Sequence, residues 1–197
     1  MALLEKASGL ADMRLQTDRL VLRRPCAADI DRLVDLLGEY EVTKWLAKVP
    51  WPYRRDDAED FLQRAGTEAS DLNLVIDGGE GLIGGIGLAG LGGRPSIGYW
   101  LGTPYWGRGL MSEAVEALLV FAFDQLNVGE VVASVFDHNV ASRRLQERFG
   151  FKITGRNLDF SLARGNAVPS VTTALSRDDF ETFREPATDH SLIVDGF

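Results

Sequence analysis

The residues with the plainest chemistry lie in Trp100 to Ala114, WLGTPYWGRGLMSEA, where an apolar strand-like run passes through Gly-Arg-Gly directly into an amphipathic helix. Gly107 and Gly109 carry no side chain, so the backbone there can bend sharply and aim consecutive N–H groups at one point. The N-terminus of the following helix adds partial positive charge, and Arg108 adds a full charge. Together these suit an anion of the phosphate type. Taken alone, the same residues also fit an ordinary strand-to-helix connection with a solvated arginine.

Other chemistry is thin. Gly85, Gly87 and Gly90 spell G-x-G-x-x-G, but Gly92, Gly93, Arg94 and Pro95 follow where a dinucleotide fingerprint needs a helix, so a Rossmann site is rejected. Those glycines are expected to thin a strand for close packing or to mark a bulge. The single cysteine, Cys26, has no motif context for a nucleophile, and His138 and His190 stand at no recognised ligand spacing, so no metal site is expected. A net charge of −8 weighs against a nucleic-acid partner, although a locally basic cleft remains open. No apolar run reaches membrane-spanning length, and Glu5 and Asp12 in MALLEKASGLADMR argue against a signal peptide. No membrane partner and a cytoplasmic location are expected.

The elements that must hold the Gly-Arg-Gly turn can be read in order. A strand is expected in LQTDRLVLRRP, where Leu20 and Leu22 alternate with Arg19, Val21 and Arg23 before Pro25, followed by a helix over Ala28 to Leu37 closed by Gly38. A proline-shaped loop then carries Trp45, Trp51 and Tyr53, either walling a pocket or covering the core edge, before a helix from about Asp56. Leu72 to Ile76, Leu82 to Leu88 and Ser96 to Leu101 read as a three-stranded meander. The helix after Gly109 places Met111, Ala114, Val115, Leu118, Leu119 and Ala122 on one face and stops near Asn127 to Gly129. Val131 to Phe136 is a strand leading to a helix whose stripe is Val140, Ala141, Leu145 and Phe149, with Gly150 as a left-handed cap. This alternation implies a parallel crossover. Leu158 to Ala163 and Ser170 to Leu175 close the fold as a hairpin across Gly165 and Asn166. At 197 residues a single domain is expected over 15–184, with an N-terminal extension over 1–14 and a mobile tail over 185–197.

In this order of elements, IGYWLGTPYWGRGLMSEA (Ile97 to Ala114) and NVASRRLQERFGF (Asn139 to Phe151) resemble the two signature segments of the GNAT N-acetyltransferases, in the branch of the ribosomal-protein acetyltransferases RimJ and RimL. The resemblance covers about Gln16 to Phe180. It implies an α+β acyl-CoA N-acyltransferase fold, whose mixed, mostly antiparallel sheet of six to seven strands splays at the cofactor site between flanking helices. The implied cosubstrate is acetyl-CoA. Its pyrophosphate would meet the backbone of Gly107, Arg108, Gly109 and Leu110, within a cofactor stretch that also takes in Trp106 and Met111. The main chains of Trp100 and Leu101 would pair with the pantetheine amides, and Asn139 would bond the arm from the opposite wall. Asn139 also fits a helix N-cap, and the two roles are compatible.

The expected reaction is direct attack of an amine on the thioester, with Leu101 or a neighbour donating an N–H to the carbonyl oxygen and Ser142 protonating the departing thiolate. Ser142 can instead bond backbone within its helix. Departures from the pattern are Pro104 where a phosphate-binding Gln or Arg is common, Ser96 where a carboxylate base is frequent, and no tyrosine on the Asn139 helix. Without an evident base an α-amine is the easier acceptor, since its pKa lies about 2.4 units below that of lysine. Glu39, Glu41 and Glu80 are carboxylates that water could link to the amine. Trp45, Trp51 and Tyr53 are expected at the acceptor site, whose partner is a protein N-terminus or a small amine such as an aminoglycoside or polyamine. A non-catalytic acyl-CoA-binding module is the other class left open, and oligomeric state is not legible.

Overall fold

The alternation read as one strand before Pro25 is broken by a tight turn. Thr17 N–H donates to Leu20 O at 2.9 Å, and Thr17 Oγ1 accepts from Leu20 N–H at 3.0 Å. Two short strands result, β1 (Arg14–Gln16) and β2 (Val21–Arg23), paired antiparallel with the buried Leu15 opposite Leu22. The computed structural model describes residues 13–67, 70–184 and 194–195. The expected extension over 1–14 therefore falls almost wholly outside the described residues. So does the expected tail, of which only β9 (Val194–Asp195) is described, against Arg14 and Leu15.

A 3-10 turn at Ala27–Asp29 leads into α1 (Ile30–Leu37), which Gly38 closes, and a single helical turn, α2 (Tyr40–Thr43), follows where no helix was expected. Helix α3 spans Arg55–Thr67. Its early acidic residues work as local structure: Asp57 Oδ2 accepts from Arg54 N–H at 2.7 Å, and Arg55 bridges Asp31 and Glu59. The meander forms as expected from β3 (Asp71–Asp77), β4 (Leu82–Ala89) and β5 (Ser96–Leu101). Its glycines allow close approach. A Cβ on Gly84 would lie 2.3 Å from Trp100 O, and one on Gly85 would lie 2.6 Å from Trp100 Nε1.

Helix α4 (Leu110–Val120) continues into a π turn at Phe121–Gln125, and the segment ends at Asn127 with φ 55°, within the expected stop. Strand β6 (Glu130–Phe136) and helix α5 (Val140–Arg148) follow, and Gly150 has the left-handed φ of 89° expected of the cap. The final hairpin is longer than expected, with β7 (Lys152–Ser161) and β8 (Asn166–Ser176), before α6 (Arg177–Phe183). Strand β7 is exposed along most of its length, so no alternation of buried side chains announces its first half.

The strands form one sheet in the order β7-β8-β6-β5-β4-β3-β2-β1-β9, antiparallel everywhere except between β5 and β6. Among the described residues that makes nine strands, against the expected six to seven, because the first strand is two and β9 adds an edge. Side chains alternate between faces along each strand. Leu74 and Ile76 join α4 and α6 in one core, while Val75 joins α1 and α3 in another.

Candidate active site

Strands β5 and β6 are parallel but share a single bridged pair, Ser96 with Val132, reinforced by Val132 N–H donating to Pro95 O at 2.9 Å. Beyond that pair they diverge, so the middle of the sheet opens toward their C-terminal ends. Register decides which main-chain groups line the opening. Gly102 N–H donates to Ile83 O at 3.0 Å, and by antiparallel alternation Trp100 and Gly98 also turn their N–H and C=O groups to β4. Tyr99 and Leu101 turn theirs to the gap. Of the two main chains expected to meet a pantetheine arm, Leu101 faces the opening and Trp100 faces away, its indole packed over Gly85. Leu101 O is occupied by Trp106 Nε1 at 2.7 Å, which leaves Leu101 N–H directed into the gap.

The chain leaves β5 through a 3-10 turn, Thr103–Tyr105, in which Pro104 fits because an N-terminal helical position needs no N–H. Gly107 and Gly109 both take left-handed φ, 71° and 75°, and Gly109 is the N-cap of α4. Among the described residues no backbone carbonyl accepts from the N–H groups of Gly107, Arg108, Gly109 or Leu110. Consecutive free N–H groups at the start of a helix form an anion cradle. Leu110 is buried and Met111 is packed against the core, so these two anchor the helix while Trp106 stands 45% exposed beside the turn.

A strap absent from the sequence reading crosses this turn. Arg19, on the β1–β2 turn, donates from Nη1 to Arg108 O at 3.0 Å and pairs with Glu113 on the first turn of α4. Glu113 Oε1 also accepts from Thr17 Oγ1 at 2.5 Å and from Arg19 N–H at 2.9 Å. Partial burial acts to raise the Glu113 pKa, and these bonds outweigh it, holding the carboxyl below its ordinary value. No local pattern could have joined residues 94 positions apart.

On the opposite wall, Asn139 caps α5, its Oδ1 accepting from Ser142 N–H at 3.1 Å. Ser142 Oγ meets Tyr99 Oη at 2.9 Å and has no hydrogen bond to a carbonyl of its helix among the described residues. Gln146 Nε2 donates to Tyr99 Oη at 3.3 Å, and Gln146 Oε1 accepts from Thr173 Oγ1 at 2.9 Å. Burial pushes the Tyr99 phenol above its ordinary pKa despite the bonds with Ser142 and Gln146. The Asn139 helix carries no tyrosine, and the phenol that meets Ser142 comes from β5.

The three aromatic residues expected at an acceptor site separate. Trp45 lies against Arg164, whose guanidinium sits 5.1 Å from the Trp45 ring and 5.3 Å from the Phe136 ring at the end of β6. Trp51 is 47% exposed and covers the α1–α2 junction, donating from Nε1 to Gly38 O at 2.9 Å and meeting Tyr40 edge-on. Tyr53 is only 8% exposed and belongs to the α1–α3 core. Burial, with Asp57 nearby, pushes its pKa up to about 12. Among the three carboxylates considered, Glu39 Oε2 accepts from Thr103 Oγ1 at 2.6 Å just past β5, Glu41 pairs with Lys44, and Glu80 lies in the exposed β3–β4 turn. Cys26 is exposed, and the described residues hold no group of three or more His, Cys, Asp or Glu placed to bind a metal ion. No helix among them is long and apolar enough to cross a membrane.

A mixed sheet that opens between two parallel strands, with a glycine-bounded helix N-terminus at one wall, is the architecture of an acyl-CoA-dependent N-acyltransferase. The chain belongs to the GNAT acetyltransferases, since the model of the acetyltransferase (GNAT) domain matches residues 19–152. It is 29% identical over 174 residues to the uncharacterized N-acetyltransferase p20 of Bacillus licheniformis, covering 84% of this chain and 97% of that protein. It is also 29% identical over 189 residues to the [ribosomal protein uS5]-alanine N-acetyltransferase of Escherichia coli, covering 88% and 95%. Among solved structures, RimJ of Mycobacterium smegmatis in complex with CoA-disulfide shares the fold, with a TM-score of 0.75 at 16% identity over 87% of this chain and 90% of that one. The protein is an acetyl-CoA-dependent N-acetyltransferase.

Proposed function

We propose that this enzyme acetylates the α-amine of a protein or peptide N-terminus. The observation that carries the reading is that, among the described residues, it is a serine and not a carboxylate that stands at the β5–β6 pair where the gap begins. Ser96 stands there, and Glu39, just past the end of β5, is already engaged by Thr103. An acceptor that sheds its proton with little help suits such a site, and an α-amine needs about 3 kcal/mol less than a lysine side chain to do so. The similarity to a ribosomal-protein alanine N-acetyltransferase along nearly its whole length supports the same class.

In this reading the N–H groups of Gly107, Arg108, Gly109 and Leu110 hold the pyrophosphate of acetyl-CoA, and the gap-facing main chain of Tyr99 and Leu101 takes the pantetheine amides. Acetyl-CoA supplies the activated acyl group as a thioester. Leu101 being engaged by the arm, the next gap-facing donor, Tyr99 N–H, meets the carbonyl oxygen as negative charge develops on it, and Ser142 gives its proton to the departing sulfur. Asn139 holds the first turn of α5, and with it Ser142, at the mouth of the gap. Trp45, fixed by Arg164 beside Phe136, forms part of the acceptor wall.

Release of free CoA thiol tests the proposal. Purified protein with acetyl-CoA is offered peptides with free N-termini, the same peptides blocked at the N-terminus but carrying lysine, an aminoglycoside and a polyamine. Turnover is expected with the free N-termini. Turnover confined to lysine peptides or small amines overturns the reading.

A further inference from the structure

The bonds around Tyr99 have a direction that the individual distances leave open. Gln146 and Thr173 are each only 4% exposed, so their polar atoms depend on one another. Thr173 Oγ1 meets the carbonyl oxygen of Gln146, and a carbonyl can only accept, so the hydroxyl is the donor. The amide thereby presents Nε2 to Tyr99, where it can only donate. Tyr99 Oη accordingly accepts a hydrogen bond from Gln146 Nε2 and must direct its own O–H elsewhere. Ser142 Oγ, at 2.9 Å, is the acceptor within reach. The opposite choice, with Ser142 donating to Tyr99, gives the phenol two donors and strands its proton in a largely buried site.

We infer that Tyr99 is a positioning residue for the acid, since by donating to Ser142 Oγ it leaves the Ser142 proton free for the sulfur that departs from the acetyl donor. The inference rests on the reading of Ser142 as that acid. When the acceptor nitrogen bonds to the acyl carbon, the C–S bond breaks and the sulfur takes the Ser142 proton. The serine oxygen recovers a proton from solvent, which has received the one released by the nitrogen. Tyr99 keeps its proton throughout, in accord with burial disfavouring the phenolate. Its contribution is to fix one rotamer of a hydroxyl that would otherwise turn freely. The relay joins β5, α5 and β8, so both walls of the gap take part.

Binding of product isolates this bond without need of an acceptor. The protein is titrated calorimetrically with CoA and with desulfo-CoA, which lacks the sulfur, at neutral pH and in mild alkali, where the CoA thiol ionises. Wild type is expected to prefer CoA over desulfo-CoA by about tenfold in alkali, the worth of one hydrogen bond to a charged atom. Tyr99→Phe should reduce that preference severalfold while leaving desulfo-CoA affinity unchanged, and Gln146→Leu should act in the same direction. In the Ser142→Ala background, where the preference is already lost, Tyr99→Phe should change nothing further. If Ser142→Ala loses the preference and Tyr99→Phe keeps it, Ser142 stands as the acid and the inference about Tyr99 fails. If Ser142→Ala keeps it, the reading of Ser142 fails and carries the inference with it. Equal weakening of both ligands by Tyr99→Phe would mark a merely structural residue and also overturn the inference.

Discussion

Arg19 and Glu113 form an ion pair, Nη2 to Oε2 at 2.6 Å, that ties the β1–β2 turn to the first turn of α4. Because Arg19 also bonds Arg108 O, the pair holds the Gly107 to Gly109 turn through a carbonyl and leaves its N–H groups unused among the described residues. The carboxylate at the N-terminal turn of α4 is favoured by the helix dipole as well as by its partners. An anion cradle works by preorganisation, so a residue that never touches the anion can set its affinity.

Glu113→Gln should lower the affinity for CoA several-fold and cost roughly 2 kcal/mol of stability, the scale of charge-assisted hydrogen bonds lost from one carboxylate. The pH dependence has a definite sign. In the folded protein Glu113 lies below its ordinary value, so its contribution is complete above the unfolded pKa and lost as pH falls through the folded one. Urea unfolding of wild type and Glu113→Gln should therefore differ most at neutral pH and converge in acid below the ordinary carboxylate range. A difference that grows in acid would contradict the role given to this pair.

Gly109→Val should abolish measurable CoA binding. Its φ of 75° costs an L-residue roughly 1–2 kcal/mol, and a β-branched side chain more, while the added atoms stand at the cradle with Arg19 Nη2 3.7 Å from the Cβ position. Calorimetric titration checks it, with circular dichroism to confirm that the fold persists. Retained affinity would remove the pyrophosphate from this turn.

The parts of this site that were legible in the sequence are those whose cause is local. Gly107, Gly109 and Gly150 announce left-handed backbone by having no side chain, and Asn139 announces a helix start by its type. Trp100 and Tyr99 show where local reasoning stops, because adjacent strand residues point their main chains to opposite neighbours, and only the register against β4 says which neighbour is missing. Tyr53 and Trp45 diverge for a similar reason: one loop carries both, but the α1–α3 packing that swallows Tyr53 comes from distant chain. The split of β1 from β2 was hidden by Thr17, whose side chain makes the turn without glycine or proline.

Gly84→Ala should disturb the sheet where it opens. The added Cβ would lie 2.3 Å from Trp100 O, a backbone atom that cannot swing aside, so β4 and β5 must separate locally. A loss of about 2–3 kcal/mol is expected, together with weaker CoA binding, since Leu101 moves with its neighbour. Gly92→Ala, where the added atom meets nothing within 4 Å, is the control, and denaturant midpoints for the two variants check the contrast.

Arg164 closes the far side of the gap. It stacks on Trp45 and Phe136 and donates from Nε to Lys44 O at 2.8 Å, while Leu162 N–H donates to Ala47 O at 3.0 Å. The β7–β8 turn and the Trp45 loop are thus held together across the two halves of the sheet. Arg164→Leu removes both the stacking and the bond to Lys44. It should raise the KM of whichever amine supports turnover by several-fold, in line with the roughly 1–2 kcal/mol carried by such a stacked and bonded cation, and leave CoA affinity within twofold. Hydrogen exchange gives an independent reading, because the Leu162 amide loses protection if the loop detaches. Unchanged exchange at Leu162 together with unchanged KM would show that Arg164 does not organise the acceptor wall, whereas a fall in CoA affinity of similar size would place its effect on the whole gap.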